Sequence, residues 1–332
     1  MSLISVKDNL GIPKYKQIIA SVENALIDGT LKKGDKLPSI NSIKNKFSLS
    51  RDTVLKAFNE LKLRGILQSI AGKGYYIKSE NVSVSQKIFL LFDELNSFKE
   101  DLYNSFLKTL NPDIQVDIYF HHFNLNVFNK LILDNKGTYN YYIIMPANFK
   151  NTNKVIQHLP KDKVYILDQV YKDISHYAAI YQNFENGIYN NLKNILHLIN
   201  KYDKLIFLYQ EEKQPKGMLR GFQRIVKNNN INSEVLKSLS KKTPRKGEIY
   251  LSPNDKNLIL IIKKIKEENL KIGVDIGIIS YNDTLLKEIV EGGITTISTN
   301  FNKMGEKLAQ MIMNKENTCI ENPTVLIVRN SL

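Results

Sequence analysis

Apolar residues recur at three- and four-residue spacing near the start of the chain, which places them on one face of a helix. This pattern predicts a helix over Lys14–Ile27 that Gly29 ends, and a second helix over Ile40–Phe47 with Ser39 as its N-cap. Ser50 caps a predicted third helix. The buried face of this third helix comprises Val54, Ala57, Phe58 and Leu61. Three short amphipathic helices are therefore expected in this region.

A hairpin is predicted directly after the third helix. Two β-rich runs, 66–70 and 75–79, flank a turn of sequence AGKG that includes Gly72 and Lys73. A short helix, a tight turn and a second helix that opens with polar and basic side chains place a helix N-terminus in the DNA major groove. A lysine at a narrow hairpin tip can contact the minor groove or a row of phosphates. Together these elements indicate a winged helix-turn-helix.

The remainder of the chain alternates between apolar strands and amphipathic helices. Strands are predicted over 87–95, 116–123, 139–147, 163–169, 203–210, 248–253 and 276–283. A long helix is predicted over Phe184–Ile199, and other helices separate the remaining strands. Repeated β-α units favour parallel sheets with helices on both faces and ligands at the carboxyl ends of the strands. The length of this region, about 245 residues, favours two lobes.

The chain of 332 residues carries a formal net charge of +14. Residues 1–80 contain fourteen Lys and Arg but only seven Asp and Glu, so half of the net charge lies in the first quarter. Such a concentration is typical of a module that binds phosphates, although a lysine-rich proteome would raise the charge of any protein. No apolar run reaches the ~18 residues of a membrane helix. The single cysteine, Cys319, excludes a disulfide within the chain, which predicts a cytoplasmic protein.

Residues 12–78 resemble the winged helix of the GntR family along their whole length. The matching segments are IPKYKQI, IDGTLKKGDKLPSI, FSLSRDTVLKAFNELKLRGIL and GKGYYI. The DNA contacts that this resemblance implies are Ser50, Arg51, Thr53, Gly72 and Lys73. Ser39 and Lys44 are further candidates, with a solvated side chain as the alternative for Lys44. Asn41 stands where the family usually has Arg, which removes a phosphate or base contact.

Residues 250–312 are similar to the effector domain of LacI-family repressors. The family's order of strand, Asn-Asp step, helix, Gly-rich turn, strand, Thr-Thr-Ile crossover and Met-Gly helix is present, whereas residues 88–169 match only in outline. The resemblance implies a two-lobed α/β domain of the periplasmic-binding-protein type, with parallel sheets and three crossovers. A GntR-type DNA-binding domain joined to this effector domain resembles the branch of the GntR family that contains arabinose- and fucose-type sugar repressors.

The domain boundaries follow from these two resemblances. The winged helix-turn-helix is expected over 1–80, a linker over 81–86 and the effector domain over 87–332. Lobe 1 is expected over about 87–182 and 298–317, and lobe 2 over about 183–297 and 318–332.

Candidate effector contacts lie at the ends of the predicted strands. Carboxylate and amide groups, with Arg or Lys, make paired hydrogen bonds to sugar hydroxyls, and aromatic faces cover the sugar's C–H groups. The polar candidates are Asp93, Glu94, Asn254, Asp255, Asn282 and Asp283, and the basic and aromatic ones are Lys216, Arg220, Phe98 and Tyr181. Each Asp or Asn also precedes a helix, so helix capping is its alternative role. Relative to the family, Asn282 replaces an Asp, Met218 an Arg and Gln182 an Asp.

No catalytic or metal site is predicted, and no cofactor. His121 and His122 are adjacent, so on a strand they point to opposite faces, and the other histidines lack metal-ligand spacing. The nucleotide motifs GxGxxG and GxxxxGK[ST] are absent from the second region of the sequence. These observations disfavour an enzyme.

The predicted protein is a homodimeric repressor of a palindromic operator whose half-sites lie about one helical turn apart. A monosaccharide such as fucose or arabinose is the predicted effector that releases it. A nucleobase, a phosphorylated sugar or a peptide remains open as the effector. An enzyme on a doubly wound scaffold is the alternative from a different class.

Overall fold

The computed structural model describes residues 3–7, 12–240 and 242–332. Over these ranges the chain forms a winged helix-turn-helix followed by two α/β lobes. None of the helices in these ranges is long and apolar enough to cross a membrane.

The winged helix-turn-helix has a core of its own. Its elements are α1 (Lys14–Ile27), α2 (Ile40–Lys46), α3 (Arg51–Leu63), β1 (Leu67–Ile70) and β2 (Gly74–Ile77). The predicted buried face of α3 packs against Ile18 and Val22 of α1, and all of these side chains are fully buried. The two strands pair antiparallel around the predicted turn. The predicted helices and hairpin are confirmed.

The first lobe contains a sheet of six parallel strands. Its strands are β3 (Gln86–Phe92), β4 (Ile114–Phe120), β5 (Tyr141–Ile144), β6 (Val164–Asp168), β7 (Ala178–Tyr181) and β13 (Cys319–Glu321). Its helices are α4 (Ser97–Thr109), α5 (Leu125–Asp134), α6 (Asn153–Ile156) and α12 (Phe301–Met313), with short 3-10 turns at Lys161–Lys163 and Lys172–Ile174. The strand order is β13-β7-β6-β5-β3-β4, and separate apolar clusters cover the two faces.

The second lobe contains a sheet of the same size. Its strands are β8 (Lys204–Leu208), β9 (Ser233–Leu236), β10 (Glu248–Ser252), β11 (Gly277–Tyr281), β12 (Thr295–Thr299) and β14 (Thr324–Ile327). Its helices are α7 (Phe184–Asn194), α8 (Leu196–Ile199), α9 (Lys216–Asn228), α10 (Asp255–Glu267) and α11 (Leu285–Ile289), with a 3-10 turn at Val290–Gly292. The strand order is β14-β12-β11-β10-β8-β9, with β14 antiparallel to β12.

In the second region the structure contains four strands that the sequence pattern does not predict, β7, β9, β13 and β14, and it corrects one helix and one strand boundary. The single helix over Phe184–Ile199 is interrupted at Ile195, because the backbone there leaves the helical region (φ −114°, ψ 20°) while the side chain stays buried. The first strand begins at Gln86, inside the segment 81–86 that was assigned to the linker.

The chain crosses between the lobes three times, at 182–183, at 300 and at 322–323. The predicted lobe boundaries at 297/298 and 317/318 require correction. Strand β12 keeps residues 298–299 in the second lobe, and β13 keeps residues 319–321 in the first. The reason is that β13 pairs with β7, so the chain adds one strand to the first sheet after α12 before it returns.

Two glycines allow close helix packing next to the cleft between the lobes. A Cβ atom at Gly305 of α12 would lie 2.3 Å from the carbonyl oxygen of Leu102 in α4. At Gly221 of α9 it would lie 2.4 Å from the carbonyl oxygen of Glu185 in α7. Only glycine fits such contacts. They hold α4 and α9 in place, and the N-terminal ends of both helices line the cleft.

Candidate DNA-binding surface and ligand cleft

The first turn of α3 carries three of the predicted DNA contacts. The Ser50 hydroxyl accepts a hydrogen bond from the Thr53 backbone N–H at 3.1 Å and lies 2.8 Å from the Thr53 hydroxyl. This cap begins the helix at Arg51, whose side chain is exposed and makes no ion pair with the described residues. An exposed guanidinium beside the free N–H groups of a first helical turn suits a phosphate or a guanine edge.

The other four predicted DNA contacts lie on α2 and the wing. Ser39 caps α2 and accepts a hydrogen bond from a backbone N–H at 3.1 Å, and Lys44 is exposed in its last turn. Gly72 has a left-handed backbone (φ 71°) that forms the wing turn, and Lys73 is exposed beside it. None of the seven predicted residues is buried. Their contact with DNA stays a prediction.

A cavity of about 280 Å³, here called the inner cavity, lies between the lobes at the carboxyl ends of their strands. Six of the predicted effector contacts line it, namely Asp93, Glu94, Phe98, Asn254, Asp255 and Asn282. The first three belong to the first lobe and the other three to the second. Residues far apart in the sequence meet here because the carboxyl ends of parallel strands share one edge of a sheet.

Lys99 also lines the inner cavity, although it is not among the predicted contacts. Its ammonium group forms an ion pair with the Asp93 carboxylate, and both side chains are less than one-tenth exposed. Asp93 also accepts a hydrogen bond from the Glu94 backbone N–H at 2.6 Å. A buried carboxylate requires such a partner. One feature of the sequence could have indicated a special role for Lys99. It lies in the first turn of α4, where the helix dipole disfavours a cation.

A second carboxylate, Asp168, ends β6 at the inner cavity. It accepts a hydrogen bond from the Gln182 amide at 2.7 Å, and the Gln182 carbonyl oxygen accepts one from the Tyr281 hydroxyl at 3.3 Å. The second of these bonds joins the lobes, because Tyr281 belongs to β11 and Gln182 directly follows β7 of the first lobe. Burial and the neighbouring charge of Asp93 raise the pKa of Asp168 to about 6. Beyond the Gln182 amide, no side chain of the described residues donates to this carboxylate, so it can accept further hydrogen bonds.

Lys287 holds the second-lobe side of the inner cavity in place from behind. Its ammonium group donates to the carbonyl oxygens of Tyr281 (2.8 Å) and Asn282 (2.6 Å) and pairs with Asp255 at 2.8 Å. The side chain is 2% exposed, and this burial lowers the pKa of Lys287. Asn254 caps α10, because its side-chain oxygen accepts a hydrogen bond from a backbone N–H of the first turn at 3.1 Å. It therefore has the helix-capping role that was its alternative to effector binding.

Four strand ends at the cleft have left-handed backbones at residues other than glycine. They are Phe123 (φ 55°), Ala147 (φ 49°), Asp168 (φ 74°) and Asn282 (φ 59°), after or at the ends of β4, β5, β6 and β11. Such conformations cost energy for residues with a side chain and are concentrated at functional sites. Their position at the carboxyl ends of the strands supports a binding role for this cleft.

A larger cavity of about 1070 Å³, here called the outer chamber, adjoins the inner cavity. The predicted contacts Tyr181, Lys216 and Arg220 line this chamber and not the inner cavity. Lys216 pairs with Glu211 at 3.0 Å and Arg220 with Glu185 at 2.7 Å, and both basic side chains stay at least 40% exposed. The structure thus divides the predicted effector contacts between two neighbouring spaces.

Residues 14–77 match the family described as bacterial regulatory proteins, gntR family. The HTH-type transcriptional repressor YtrA of Bacillus subtilis is 34% identical over 100 residues, which cover 30% of this chain and 73% of that protein. The chain belongs to the GntR family of bacterial regulatory proteins. Residues 197–332 match a periplasmic binding protein-like domain, so this GntR regulator carries the LacI-like effector fold that its sequence predicts.

Two further proteins resemble this GntR regulator over a longer part of the chain. The arabinose metabolism transcriptional repressor of Geobacillus stearothermophilus is 24% identical and covers 96% of this chain and 98% of its own length. The structure of a LacI family transcriptional regulator from Enterococcus faecium with bound ribose has a TM-score of 0.57 and 18% identity, over 74% of this chain and 98% of its own. Both are transcription regulators and not enzymes, which agrees with the sequence prediction for this DNA-binding regulator.

Asp283 is the predicted effector contact that the structure places elsewhere. Its carboxylate receives hydrogen bonds from two nitrogens of the Arg329 guanidinium, each at 2.7 Å, and one from the Thr296 hydroxyl at 2.9 Å. It lines neither the inner cavity nor the outer chamber. The prediction that Asp283 contacts the effector is therefore wrong. The segment after β14 brings Arg329 beside the end of β11, where it occupies the carboxylate. Burial opposes ionisation, but these bonds and the charge of Arg329 lower the pKa of Asp283.

The Asp283→Ala variant is expected to lower the free energy of unfolding by about 2 kcal/mol, since it removes charged hydrogen bonds in a half-buried setting. Because the pKa of Asp283 is lowered in the folded protein, this contribution is present at neutral pH and lost as the pH falls through the lowered pKa. Urea unfolding at several pH values measures it. Effector affinity should stay unchanged in this variant. A large loss of affinity would contradict the placement of Asp283 outside the effector site.

Proposed function

We propose that this regulator is a cytoplasmic homodimer that represses transcription from a palindromic operator and leaves it when a small carbohydrate binds the inner cavity. The observation that carries the proposal is the inner cavity itself, which both lobes line with carboxylates, amides and an aromatic ring. Such groups bind sugar hydroxyls and C–H faces. Arabinose and fucose are the first candidates. The name of the Geobacillus repressor and the ribose bound to the Enterococcus regulator support a sugar.

The charges of the inner cavity favour a neutral sugar ring over a phosphate at this position. Lys99 is its one buried cation among the described residues, and Asp93 already neutralises it. Asp168 adds a carboxylate whose hydrogen bond comes from the uncharged Gln182. A phosphate placed beside Asp168 would meet a carboxylate that no cation pairs with among the described residues, whereas sugar hydroxyls would donate to it.

Two sets of hydrogen bonds link the lobes around the cleft. The Gln182–Tyr281 bond lies at the inner cavity. The Asn148 amide of the first lobe donates to the carbonyl oxygens of Gln214 (2.5 Å) and Glu211 (3.0 Å) in the second. A sugar that contacts both lobes binds most tightly when they are close together. Because the sugar binds the closed lobes more tightly than the open lobes, it shifts the protein toward the closed state. In that state the two DNA-binding domains of the dimer no longer match the spacing of the operator half-sites.

Operator binding in the presence of sugars tests the proposal. The operator is selected from random double-stranded DNA with the purified protein, and fluorescence anisotropy then follows its release by arabinose, fucose and other neutral monosaccharides. One sugar is expected to weaken operator binding about tenfold or more, within the usual range of allosteric coupling. Sugars that bind in a thermal-shift assay but leave operator affinity unchanged would refute release. A thermal shift with nucleobases or phosphorylated sugars alone would refute a neutral sugar.

The Tyr281→Phe variant tests the link between the lobes. It removes one buried hydroxyl and its hydrogen bond to Gln182, so the sugar concentration for half-release should rise about fivefold, the equivalent of about 1 kcal/mol. Tyr250→Phe is the matched control, because its buried hydroxyl bonds to Glu248 away from the cleft. Equal shifts in the two variants would mean that the Gln182–Tyr281 bond does not couple the cleft to the operator.

A further inference from the structure

The inner cavity and the outer chamber are neighbours that share part of their lining. Gln169, Gln182, Phe184 and Pro215 line both. The inner cavity, at about 280 Å³, has the size for a single sugar ring, while the outer chamber, at about 1070 Å³, reaches the upper end of ordinary ligand sites, roughly 300–1,000 Å³. A group attached to a ring in the inner cavity and directed past Phe184 would lie in the outer chamber.

Charges in the inner cavity are nearly balanced, since Lys287 also pairs with Asp255 from outside its lining, and Asp168 is the buried carboxylate without an ion pair among the described residues. The carboxylates that line the cavity are Asp93, Glu94, Asp168 and Asp255, and the cations are Lys99, Lys213 and Lys256. Lys99 is paired with Asp93. Lys213 is exposed and lies 3.9 Å from Glu94. An anionic part of a ligand would find no unpaired buried cation among the described residues that line this cavity.

Positive charge prevails in the outer chamber. Its cations are Lys150, Lys172, Lys216 and Arg220, and its carboxylates are Asp173 and Glu185. Lys150 and Lys172 are exposed and form no ion pair in the part of the chain that the structure describes. These two lysines belong to the first lobe, and Lys216 and Arg220 to the second. An anion in the chamber would therefore attract cations of both lobes.

We propose that the effector is a glycoside with an anionic aglycone. The sugar ring occupies the inner cavity, and a carboxylate or phosphate on the aglycone lies in the outer chamber between the cations of the two lobes. This inference rests on the proposed function, because it takes the inner cavity as the sugar site. It also gives a role to Lys216 and Arg220, which line only the outer chamber and cannot contact a ring confined to the inner cavity.

The aromatic side chains of the outer chamber fit the part of the ligand between ring and anion. Phe149, Tyr171 and Tyr181 line the chamber and offer apolar surface with polar edges. The Tyr171 hydroxyl is already held by the Gln169 side chain and the Ala147 carbonyl oxygen, each at 2.6 Å, so its ring position is defined. An anion between the lobes would add to closure as well as to affinity.

Matched pairs of ligands test the inference by isothermal titration. Glucose, mannose, galactose, arabinose and fucose are each supplied as the glycosyl-glycerol, which is neutral, and as the glycosyl-glycerate, which has the same length and one carboxylate. For the ring that binds, the glycerate is expected to bind about tenfold more tightly than the glycerol. Equal or weaker binding of the glycerate would overturn the inference while leaving the sugar site intact. Binding of no sugar derivative would overturn both the inference and the proposed function.

A double variant locates the anion. Lys172→Ala with Lys216→Ala removes one cation from each lobe and should abolish the preference for the glycerate, weakening the glycerate much more than the glycerol. Lys227→Ala, at the opposite end of α9, removes an exposed cation outside both cavities and is the control. A double variant that keeps the preference, or that weakens both ligands equally, would overturn the placement of the anion in the outer chamber.

Discussion

The Arg51→Ala variant is expected to bind the selected operator about tenfold to a hundredfold more weakly than the unmodified protein. A guanidinium at the start of a recognition helix contributes about 1–3 kcal/mol when it contacts a guanine edge or a phosphate in the major groove. The Arg51 side chain is exposed and makes no ion pair with the described residues, so its removal should leave the fold unchanged. Fluorescence anisotropy at fixed salt concentration measures the loss.

A control on the same helix separates a specific contact from a general loss of charge. Lys62 lies in the last turn of α3, so Lys62→Ala removes one positive charge far from the predicted contacts. Operator affinity should fall little in this variant. If Arg51→Ala and Lys62→Ala weaken binding equally, the first turn of α3 does not read the operator. Unchanged binding of Arg51→Ala would argue against DNA recognition by this helix.

The Lys99→Met variant is expected to lower the free energy of unfolding by about 3 kcal/mol or more. It leaves the Asp93 carboxylate buried without its ion-pair partner, which is among the most destabilising single changes in a protein. Urea unfolding followed by circular dichroism measures the change. Lys108→Met, in the last turn of the same helix, removes an exposed lysine and is expected to change stability little.

A second substitution shows whether the loss comes from the unpaired charge. The double variant Asp93→Asn with Lys99→Met removes both charges and should regain a large part of the lost stability, because no buried ion remains. Recovery would show that Lys99 compensates Asp93. A double variant as unstable as Lys99→Met would instead assign the effect to the packing of the lysine stem.

Some cleft residues could be selected from the sequence, and others could not. Asp93 and Asn282 follow buried apolar strands, and the carboxyl ends of such strands face the ligand side of a parallel sheet. Asp168 also follows an apolar run, residues 164–167, and was open to the same reasoning. That Gln182 is its hydrogen-bond partner depends on the tertiary structure. Gln182 differs from the family's usual residue, yet its role depends on a partner in the other lobe.

The pattern of apolar and polar residues by itself determined the winged helix-turn-helix, the parallel central strands of the two sheets and the polar strand ends. These features depend on residues close together in the chain, where spacing sets which side chains share a face. Which polar groups remain free for a ligand was decided by the tertiary structure. Asp283 is occupied by Arg329, 46 positions away, while Gln182 reaches Tyr281, 99 positions away. Such pairs form because the folded chain brings distant segments together, and the spacing of residues within one segment does not predict which distant segment it will contact.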